Sequence, residues 1–531
     1  MKYLTATNLS VLFCLFLAGS LAFCQEDGGA TVGDEIPDGF ALLDAQKPAA
    51  ALSAFVEALA AEGDCVRLLV GAGRAAIELG EFGTAIHHLT RASSLDPKSY
   101  DAVLFRARAF AAQGREFFYG GEVNDGGMML EDAANLLVVA AGLKESVAEP
   151  LLDRAYILME LGDTEGADQA ALEALDREPS NVRALLLHGD AAFIRFQDAA
   201  AAGGSAGKVK EMWNEALAIY EKANAAAPEE TGPYLGLAAL YEADKKWDDA
   251  SEAVMSALVL DPELLQGYNS LLRLFGDAEG REKLVTLLEK LLVEIEKKYP
   301  GDLTRKATTS YYAGYAHFLN FDYEASIDSY TTALKGNEEY RIGATYYLGR
   351  CRFALNEYKQ AARDFFRIMA ADPDAFIYYL SNDPNWLEVC SALSYLSNFS
   401  YEANNLKMAR DLIGGILMVV KNNSTYYNNY AFLCRETGEY ELAYQAYQEC
   451  LALEPSNPAV LNDTALILQY HLHRDLDYAK ELYNRAIVEA GKVIADESSS
   501  AAAKDDARTA LRDAKTNLRK MDRDSKRRRR G

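Results

Sequence analysis

One glycine-rich segment has the residue types of a phosphate-binding loop. Residues 202–209 read AGGSAGKV and place Lys208 directly after a glycine. Such a loop also needs an earlier glycine, a Ser or Thr after the lysine to reach magnesium, and a preceding strand. Here the first glycine is missing, Val209 occupies the hydroxyl position, and no strand precedes the segment. The sequence therefore predicts no nucleotide-binding site.

The histidines do not form a metal-binding set. His87 and His88 are adjacent, and neither has a His or a carboxylate one helical turn away. On a helix, His471 and His473 would point to different faces, and neither has a third ligand nearby. No Ser or Cys lies in a nucleophile motif. We predict no metal, no cofactor and no catalytic residue.

Charge is distributed unevenly along the chain. The sequence has 79 acidic and 54 basic residues, for a net charge of -25. An acidic chain repels a duplex, so we predict no nucleic-acid partner. Between Lys504 and Arg530, however, the chain has twelve basic and five acidic residues. The basic run 526–530 has three interpretations: a solvated end, a contact with anionic lipid or polymer, or a clamp on the acidic body of the chain.

The N-terminal residues are typical of an export signal. Lys2 precedes an apolar run over residues 9–23, which is short for a membrane span. We expect cleavage after Cys24, with an uncleaved anchor and lipidation of Cys24 as alternatives. The protein is thus predicted to be periplasmic, cell-envelope or extracellular, with a membrane or envelope tether if Cys24 is lipidated or the signal is retained.

Five cysteines follow the signal. An odd number spread over hundreds of residues does not indicate a disulfide framework. Cys351, Cys434 and Cys450 fall at apolar positions of predicted helices. We expect them to be small buried hydrophobic residues.

A fixed spacing recurs along most of the chain. Small residues and a final proline follow one another at gaps of seven, five, seven and five. Four sets share these gaps, and a fifth keeps the frame with Lys245 in the turn: Gly73, Gly80, Ala85, Ala92, Pro97; Ala155, Gly162, Ala167, Ala174, Pro179; Gly349, Asn356, Ala361, Ile368, Pro373; Ala431, Gly438, Ala443, Cys450, Pro455; and Ala238, Ala250, Ala257, Pro262.

The spacing is that of a helical hairpin. A small residue on each helix lets the backbones approach, a Gly or Asn closes the turn in the left-handed conformation, and Pro ends the second helix. Large residues follow the small residue of the second helix by one turn and fill the remaining space: Tyr220, Phe365, Tyr447 and Tyr483.

This pattern resembles the tetratricopeptide repeat, a 34-residue helix-turn-helix. Residues 231–264 are among its clearest copies, with Tyr234, Trp247 and Pro262 on the family pattern. The resemblance implies an all-α fold: a right-handed α-solenoid of about twelve antiparallel helix hairpins, several of them degenerate. A solenoid stabilises each unit through its neighbours.

We divide the chain by composition. The segments are a signal peptide (1–24), a short linker (25–37), an Ala-rich repeat array (38–300), a Tyr-rich repeat array (301–494), and a charged capping helix with a polybasic tail (495–531). Residues 115–127 and 198–213 exceed the repeat length and are predicted to be two inserted loops between the helices of a hairpin. They are either tolerated extensions or partner contacts.

Tyrosine is concentrated in the Tyr-rich array, where 23 of the 31 lie between Tyr299 and Tyr483. Family members, as the resemblance implies, bind peptides or helices along the groove lined by the first helix of each hairpin. By spacing, the groove positions here are Tyr311, Tyr315, Phe318, Tyr346, Arg350 and Phe353. Aromatic and Arg side chains dominate binding hot spots.

Three functional hypotheses follow. The first is an exported, non-enzymatic scaffold that binds a protein or peptide ligand through this groove. The second is an envelope-anchored lipoprotein acting as a structural component of an assembly, and the third is an accessory subunit of an enzyme. The oligomeric state and the partner are not specified by the sequence.

Overall fold

The computed structural model describes residues 37–528, with side chains from Gly39 to Arg523. The predicted signal peptide, Cys24, nearly all of the linker and the final three residues lie outside this range. Two compact units divide the chain, residues 1–274 and 275–531. Every regular element in the described range is helical.

The first unit contains twelve helices within its described residues, and a thirteenth lies at its end. They are α1 (Pro37–Asp44), α2 (Pro48–Glu62), α3 (Val66–Glu78), α4 (Phe82–Leu95), α5 (Tyr100–Gly120), α6 (Val123–Leu143), α7 (Glu149–Glu160), α8 (Thr164–Arg177), α9 (Val182–Ala201), α10 (Ala206–Ala226), α11 (Thr231–Ala243), α12 (Trp247–Leu260) and α13 (Leu265–Phe275).

The second unit continues with thirteen helices up to residue 528. They are α14 (Arg281–Lys298), α15 (Leu303–Leu319), α16 (Tyr323–Gly336), α17 (Arg341–Ala354), α18 (Tyr358–Ala371), α19 (Pro373–Asn382), α20 (Trp386–Glu402), α21 (Leu406–Val419), α22 (Ser424–Glu436), α23 (Tyr440–Leu453), α24 (Pro458–Leu466), α25 (Leu476–Ala495) and α26 (Ala501–Arg528).

Consecutive helices pair as antiparallel hairpins that stack on their neighbours. Six hairpins lie in the described part of the first unit (α1/α2 to α11/α12) and five in that of the second (α15/α16, α17/α18, α20/α21, α22/α23, α24/α25). Second helices pack against the first helix of the next hairpin, as α4 does on α5 and α16 on α17. Each unit is therefore an all-α solenoid.

The hairpin turns close through the left-handed conformation, as the spacing predicts. Gly80, Gly162 and Gly438 have φ of 75°, 79° and 84°. The non-glycine turn residues Lys245 and Asn356 adopt φ of 60° and 61°. The prediction is confirmed at all five repeats.

The packing residues of the repeat are also where the spacing places them. The second-helix alanines Ala85, Ala167, Ala250, Ala361 and Ala443 are fully buried. The large residues one turn later have at most 1% exposure: Tyr220, Phe365, Tyr447 and Tyr483. Small and large side chains therefore interlock to form the core of each hairpin.

The two predicted insertions are not loops. The extra residues lengthen both helices of the hairpin, so that α5 and α6 meet at a two-residue turn and α9 and α10 at a four-residue turn. Gly126 belongs to a close helix contact: a Cβ there would lie 2.6 Å from the carbonyl oxygen of Gly114. The glycines that suggested a loop instead allow two long helices to pack, and the prediction of inserted loops is wrong.

Helix α19 is an additional element that the repeat spacing did not predict. Four of the repeat prolines lie just beyond a second helix, but Pro373 occupies the first turn of α19. The Asp372 side chain caps this helix by accepting a hydrogen bond of 2.9 Å from the amide of Ala375. Because proline is favoured at the first helical position, one residue can end one helix and begin the next.

Helix α26 docks on the last hairpin as a cap. Ala514 and Met521 pack in one apolar cluster with Leu461 and Leu482 of α24 and α25. Lys480 donates a hydrogen bond of 2.7 Å to Asp522. Residues 501–528 therefore form a capping helix, within the segment 495–531 for which one is predicted.

Four of the five cysteines in the described range are buried free thiols. Cys351, Cys434 and Cys450 are buried as predicted, and Cys390 is buried as well. Burial raises the pKa of each of these four thiols to about 11. They therefore pack as neutral hydrophobic side chains.

Among the described helices, α6 alone is long enough and apolar enough to cross a membrane. One of its faces packs against α5 and α7 through Leu130, Ala133 and Leu137. A long apolar helix can also pack inside a helical repeat, and α6 does so between α5 and α7.

Candidate partner-binding surface

The first helices of the second unit lie side by side and carry most of the predicted groove residues. Helix α17 contacts α15 on one side and α19 on the other. The approach of three helices requires small residues between them. Gly343 of α17 is one, because any side chain there would collide with the hydroxyls of Tyr311 and Tyr379.

Aromatic rings from these helices pack against one another. Tyr315 and Phe318 of α15 each lie 5.2 Å, centroid to centroid, from Tyr347 of α17. Tyr311 stacks on Tyr340 at 4.7 Å. We give the name aromatic surface to six half-buried aromatic residues of α15, α17 and α19: Tyr311, Tyr312, Tyr315, Phe318, Tyr347 and Tyr379.

A buried aspartate fixes the polar end of the aromatic surface. Asp383, between α19 and α20, is 6% exposed. Its Oδ2 accepts a hydrogen bond of 2.8 Å from the Tyr346 hydroxyl and also pairs with the Arg350 guanidinium. The Arg350 guanidinium carbon lies 4.4 Å from the ring centroid of Phe318. The charge of Arg350 is therefore neutralised inside the protein and its plane is held against an aromatic ring.

The tyrosine hydroxyls stay neutral at physiological pH. Burial is the largest cause that raises the pKa of Tyr311, Tyr346 and Tyr347 above the ordinary phenol value. The adjacent Asp383 carboxylate raises the pKa of Tyr346 further. Such phenols donate hydrogen bonds, and none is activated as a base or nucleophile.

The structure brings five of the six predicted groove residues together. Tyr311, Tyr315 and Phe318 belong to the aromatic surface, and Arg350 lies against it with a side chain that is 13% exposed. Tyr346 is also adjacent but has no exposed surface, because Phe376 and Tyr379 of α19 cover its ring. The prediction that Tyr346 lines an open groove is therefore wrong.

Phe353 lies in a different environment from the other five. Its ring is 5.6 Å from Tyr358 and 5.9 Å from Tyr395. Tyr395 is 48% exposed and belongs to α20. Phe353 thus contributes to a second aromatic group, formed with residues of α18 and α20.

Five residues of this region were not predicted from the sequence, and Tyr312 of the aromatic surface is the first of them. Tyr347, Tyr379 and Asp383 complete the contacts described above. Tyr347 could have been found, because it is the residue 35 positions after Tyr312, the same offset that relates Tyr311 to Tyr346. Tyr379 and Asp383 depend on α19, for which the repeat gives no signal.

The fifth missed residue, Phe321, is exposed and strained. It closes the α15 to α16 turn with φ of 63° and is 68% exposed. Glycine or asparagine fills this turn in other repeats because a bulky residue in the left-handed region is disfavoured. Its ring is 6.4 Å from Tyr323, and the guanidinium carbon of Arg281 lies 5.6 Å from it.

Metal ligands do not converge anywhere in residues 37–528: no group of three or more His, Cys, Asp or Glu side chains could hold an ion. One arrangement of polar groups outside the aromatic surface joins α8, α9 and α10. There, His188 Nδ1 is 2.5 Å from an Asp168 oxygen, and Arg195 bridges Asp168 and Glu215. Ion pairs between successive helices account for this arrangement.

Stacked hairpins with an aromatic inner layer define a helical repeat scaffold. Sequence models described as tetratricopeptide repeat match residues 39–86, 70–116, 152–209, 313–376 and 424–457. These matches, together with the stacked hairpins, support a tetratricopeptide repeat protein, and repeats of this kind support a protein-interaction scaffold. The fold is typically a non-catalytic one.

Similar solved structures have low sequence identity and include tetratricopeptide repeat proteins. A thermophilic repeat protein from Thermus thermophilus, TTC0263, is 21% identical, with 39% of this chain and 97% of that chain covered and a TM-score of 0.29. A tetratricopeptide repeat protein from Parabacteroides merdae is 17% identical, with 53% of this chain and 97% of that chain covered and a TM-score of 0.33. The structure of pilF from Pseudomonas aeruginosa is 18% identical, with 45% of this chain and 93% of that chain covered and a TM-score of 0.32. No curated protein matches the chain.

Proposed function

We propose that this protein is an exported, non-enzymatic scaffold that binds a protein or peptide ligand through the aromatic surface of its second unit. The aromatic surface, held in place by a buried ion pair, is the observation that carries the proposal. Six aromatic side chains from α15, α17 and α19 lie together in a partly exposed layer.

Rigidity makes this layer suited to recognition. A ring that is already packed loses little rotational freedom when a partner covers it. Tyrosine also presents an apolar body and a hydroxyl donor, which is why it is enriched at binding hot spots. Arg350 serves as a support, because its guanidinium is occupied by Asp383.

Phe321 supports the same location for the contact. An exposed ring in a left-handed turn contributes strain and leaves apolar area in water, so the fold alone does not favour it. Phe321 follows Phe318 by three residues, just beyond the end of the helix that supplies four of the six residues of the aromatic surface. We infer that the partner covers Phe321 as well.

Site-specific photo-crosslinking in the native compartment tests this proposal and identifies the ligand. A photoreactive phenylalanine replaces Tyr315 in one variant and Val293, which is 64% exposed on α14, in the control. Crosslinks to a single protein from position 315 but not from position 293 are expected. Equal crosslinking from both positions would contradict the proposal.

The affinity of the purified protein for its purified ligand then distinguishes an effect of each substitution on binding from an effect on stability. Tyr315→Ala is expected to weaken the complex at least about tenfold, as loss of one hot-spot residue does. Phe321→Asn is expected to weaken it while making the free protein more stable. Val293→Ala should leave affinity unchanged. If Phe321→Asn binds as tightly as the natural sequence, the turn is not part of the contact.

Export is the second component of the proposal. Its support is the sequence pattern of Lys2, the apolar run and Cys24. Mass spectrometry of the mature N-terminus distinguishes a chain cleaved after Cys24, a lipidated Cys24 and an uncleaved chain. Lipidation would favour the envelope-anchored assembly component over the freely exported scaffold, and an intact cytoplasmic chain would contradict export.

A further inference from the structure

The outward face of α26 carries a continuous line of basic side chains. Arg508, Arg512, Lys515, Arg519 and Arg523 follow one another at helical spacing, and all five are exposed. Intervals of four, three, four and four residues keep them on one face of a helix. At 1.5 Å per residue, the line is about 22 Å long. We call these five residues the basic stripe.

Docking of α26 fixes the direction of the basic stripe. Ala507, Ala510, Ala514 and Met521 are buried, and at 100° per residue they lie roughly opposite the stripe. The stripe faces away from this buried side, and all five of its residues are exposed in the described structure. A surface that approaches this end of the second unit therefore meets the cations first.

Most of this charge is not neutralised within the described part of the chain. Lys515, Arg519 and Arg523 form no ion pair there. Arg508 and Arg512 pair only with their near neighbours Asp505 and Asp513, at 3.8 and 3.1 Å. Asp522 is directed to Lys480 of α25 instead. Among described residues the acidic body does not clamp the stripe, so its cations remain available to an external anion.

The composition of the stripe favours a lipid headgroup layer over a protein. The core of a protein interface is apolar and poor in charge. None of the exposed large hydrophobic residues lies on α26. A straight row of cations on one helix face can contact a plane along its whole length at once. Nucleic acid carries the same phosphate charge as a headgroup layer but is not a plane, and competition by a duplex distinguishes the two.

We propose that the basic stripe of α26 adsorbs to a membrane surface that contains anionic phospholipid. The contact is electrostatic and needs no insertion of side chains into the acyl layer. This binding site is separate from the aromatic surface, so α26 can hold the scaffold at a membrane while its first helices engage a protein.

Vesicle flotation of the purified full chain tests the proposal. The vesicles are phosphatidylcholine with or without phosphatidylglycerol. We expect binding only to the anionic vesicles, and its loss when NaCl rises from about 0.1 M to about 1 M, which shortens the screening length from about 10 Å to about 3 Å. The variant Lys515→Gln, Arg519→Gln, Arg523→Gln should bind about a hundredfold more weakly.

A matched control has the same change in net charge elsewhere. Lys290→Gln, Lys297→Gln, Lys335→Gln removes three exposed cations from α14 and α16, and its binding should equal that of the natural sequence. A third variant, Lys515→Arg, Arg519→Lys, Arg523→Lys, keeps the charge and should also retain binding. Circular dichroism and melting temperature verify that each variant is folded.

Three results would overturn the proposal. The natural chain fails to bind the anionic vesicles, or the control variant weakens as much as the stripe variant. The third result is that duplex DNA at equal phosphate concentration displaces the chain from the vesicles and that this displacement depends on the same three residues. The stripe would then be a site for polyanions in general.

Discussion

Asp383 determines what the other residues around it can do. Its carboxylate holds Arg350 and Tyr346, both of which would otherwise be candidates for direct contact with a partner. A buried carboxylate is stable only when it is paired, so removal of Arg350 leaves an unfavourable charge in place. An alanine at position 350 would therefore test the fold of the second unit before it tests binding.

A double-mutant cycle measures this coupling. Arg350→Met alone should destabilise the second unit by about 3–5 kcal/mol, because the Asp383 carboxylate loses its charged partner. The double variant Arg350→Met, Asp383→Asn should be markedly less destabilised, since the amide keeps the Tyr346 hydrogen bond without a net charge. The measurement is urea unfolding followed by tyrosine fluorescence. Equal destabilisation of the single and double variants would show that packing, and not charge, is what Arg350 supplies.

Asp190 of the first unit gives a pH-dependent prediction. Its carboxylate accepts a hydrogen bond of 2.6 Å from the Tyr220 hydroxyl, and burial raises the pKa of Asp190 to about 6. A raised folded-state pKa means that the folded chain binds more protons than the unfolded chain, whose Asp pKa is about 3.9. The contribution of Asp190 to stability is then largest below pH 4 and is lost as pH rises through 6.

Substitution by Asn isolates this contribution. Asp190→Asn keeps an acceptor for Tyr220 and does not titrate. Its stability relative to the natural chain should increase by up to about 3 kcal/mol between pH 4 and pH 7. Urea midpoints of both proteins, measured across this range, provide the comparison. A difference that stays constant with pH would mean that Asp190 titrates at its ordinary pKa.

At the scale of an element, the hairpin turn offers a reciprocal pair of substitutions. Phe321 and Asn356 occupy the same left-handed position in neighbouring hairpins, with φ of 63° and 61°. Phe321→Asn should stabilise the second unit by roughly 1 kcal/mol, and Asn356→Phe should destabilise it by a similar amount. Thermal unfolding of both variants is the measurement. Destabilisation by Phe321→Asn would show that the contacts of the ring with Tyr323 and Arg281 outweigh the strain.

The repeat elements follow from spacing because their packing is local. Small residues, left-handed turns and terminal prolines act within one hairpin, so a 34-residue pattern contains the information that positions them. Helix α19 and the extended helices α5, α6, α9 and α10 depart from that pattern. Gly126 looks the same in the sequence whether it forms a loop or a helix contact, and only the position of Gly114 on the facing helix distinguishes the two.

The candidate surface, too, could be predicted from the sequence only where it is formed by the repeats. The offset between hairpins located Tyr311, Tyr315 and Phe318 on neighbouring first-helix positions, where the structure has them. It could not show that α19 would cover Tyr346 or that Asp383 would neutralise Arg350. Both contacts come from a helix outside the repeat, and the conformation of such an element depends on tertiary packing that spacing does not encode.

At the scale of the whole molecule, the solenoid architecture within each unit limits how far a perturbation spreads. Each hairpin contacts mainly its neighbours in sequence, so stability is approximately a sum over hairpins and their interfaces. The ends of such an array need a cap, because the last hairpin otherwise exposes its apolar face. Helix α26 supplies the cap in the second unit by covering Leu461, Leu482 and Tyr483.

Removal of this cap should therefore act locally. A chain that ends at residue 498 loses the buried contacts of Ala514 and Met521. Hydrogen exchange measured by mass spectrometry should then show faster exchange in α22–α25 and unchanged exchange in α3–α9. The full-length stripe variant with Gln at positions 515, 519 and 523 is the control, because those side chains are exposed. Faster exchange across both units would mean that α26 stabilises the array as one cooperative body, in conflict with stability carried by neighbouring hairpins.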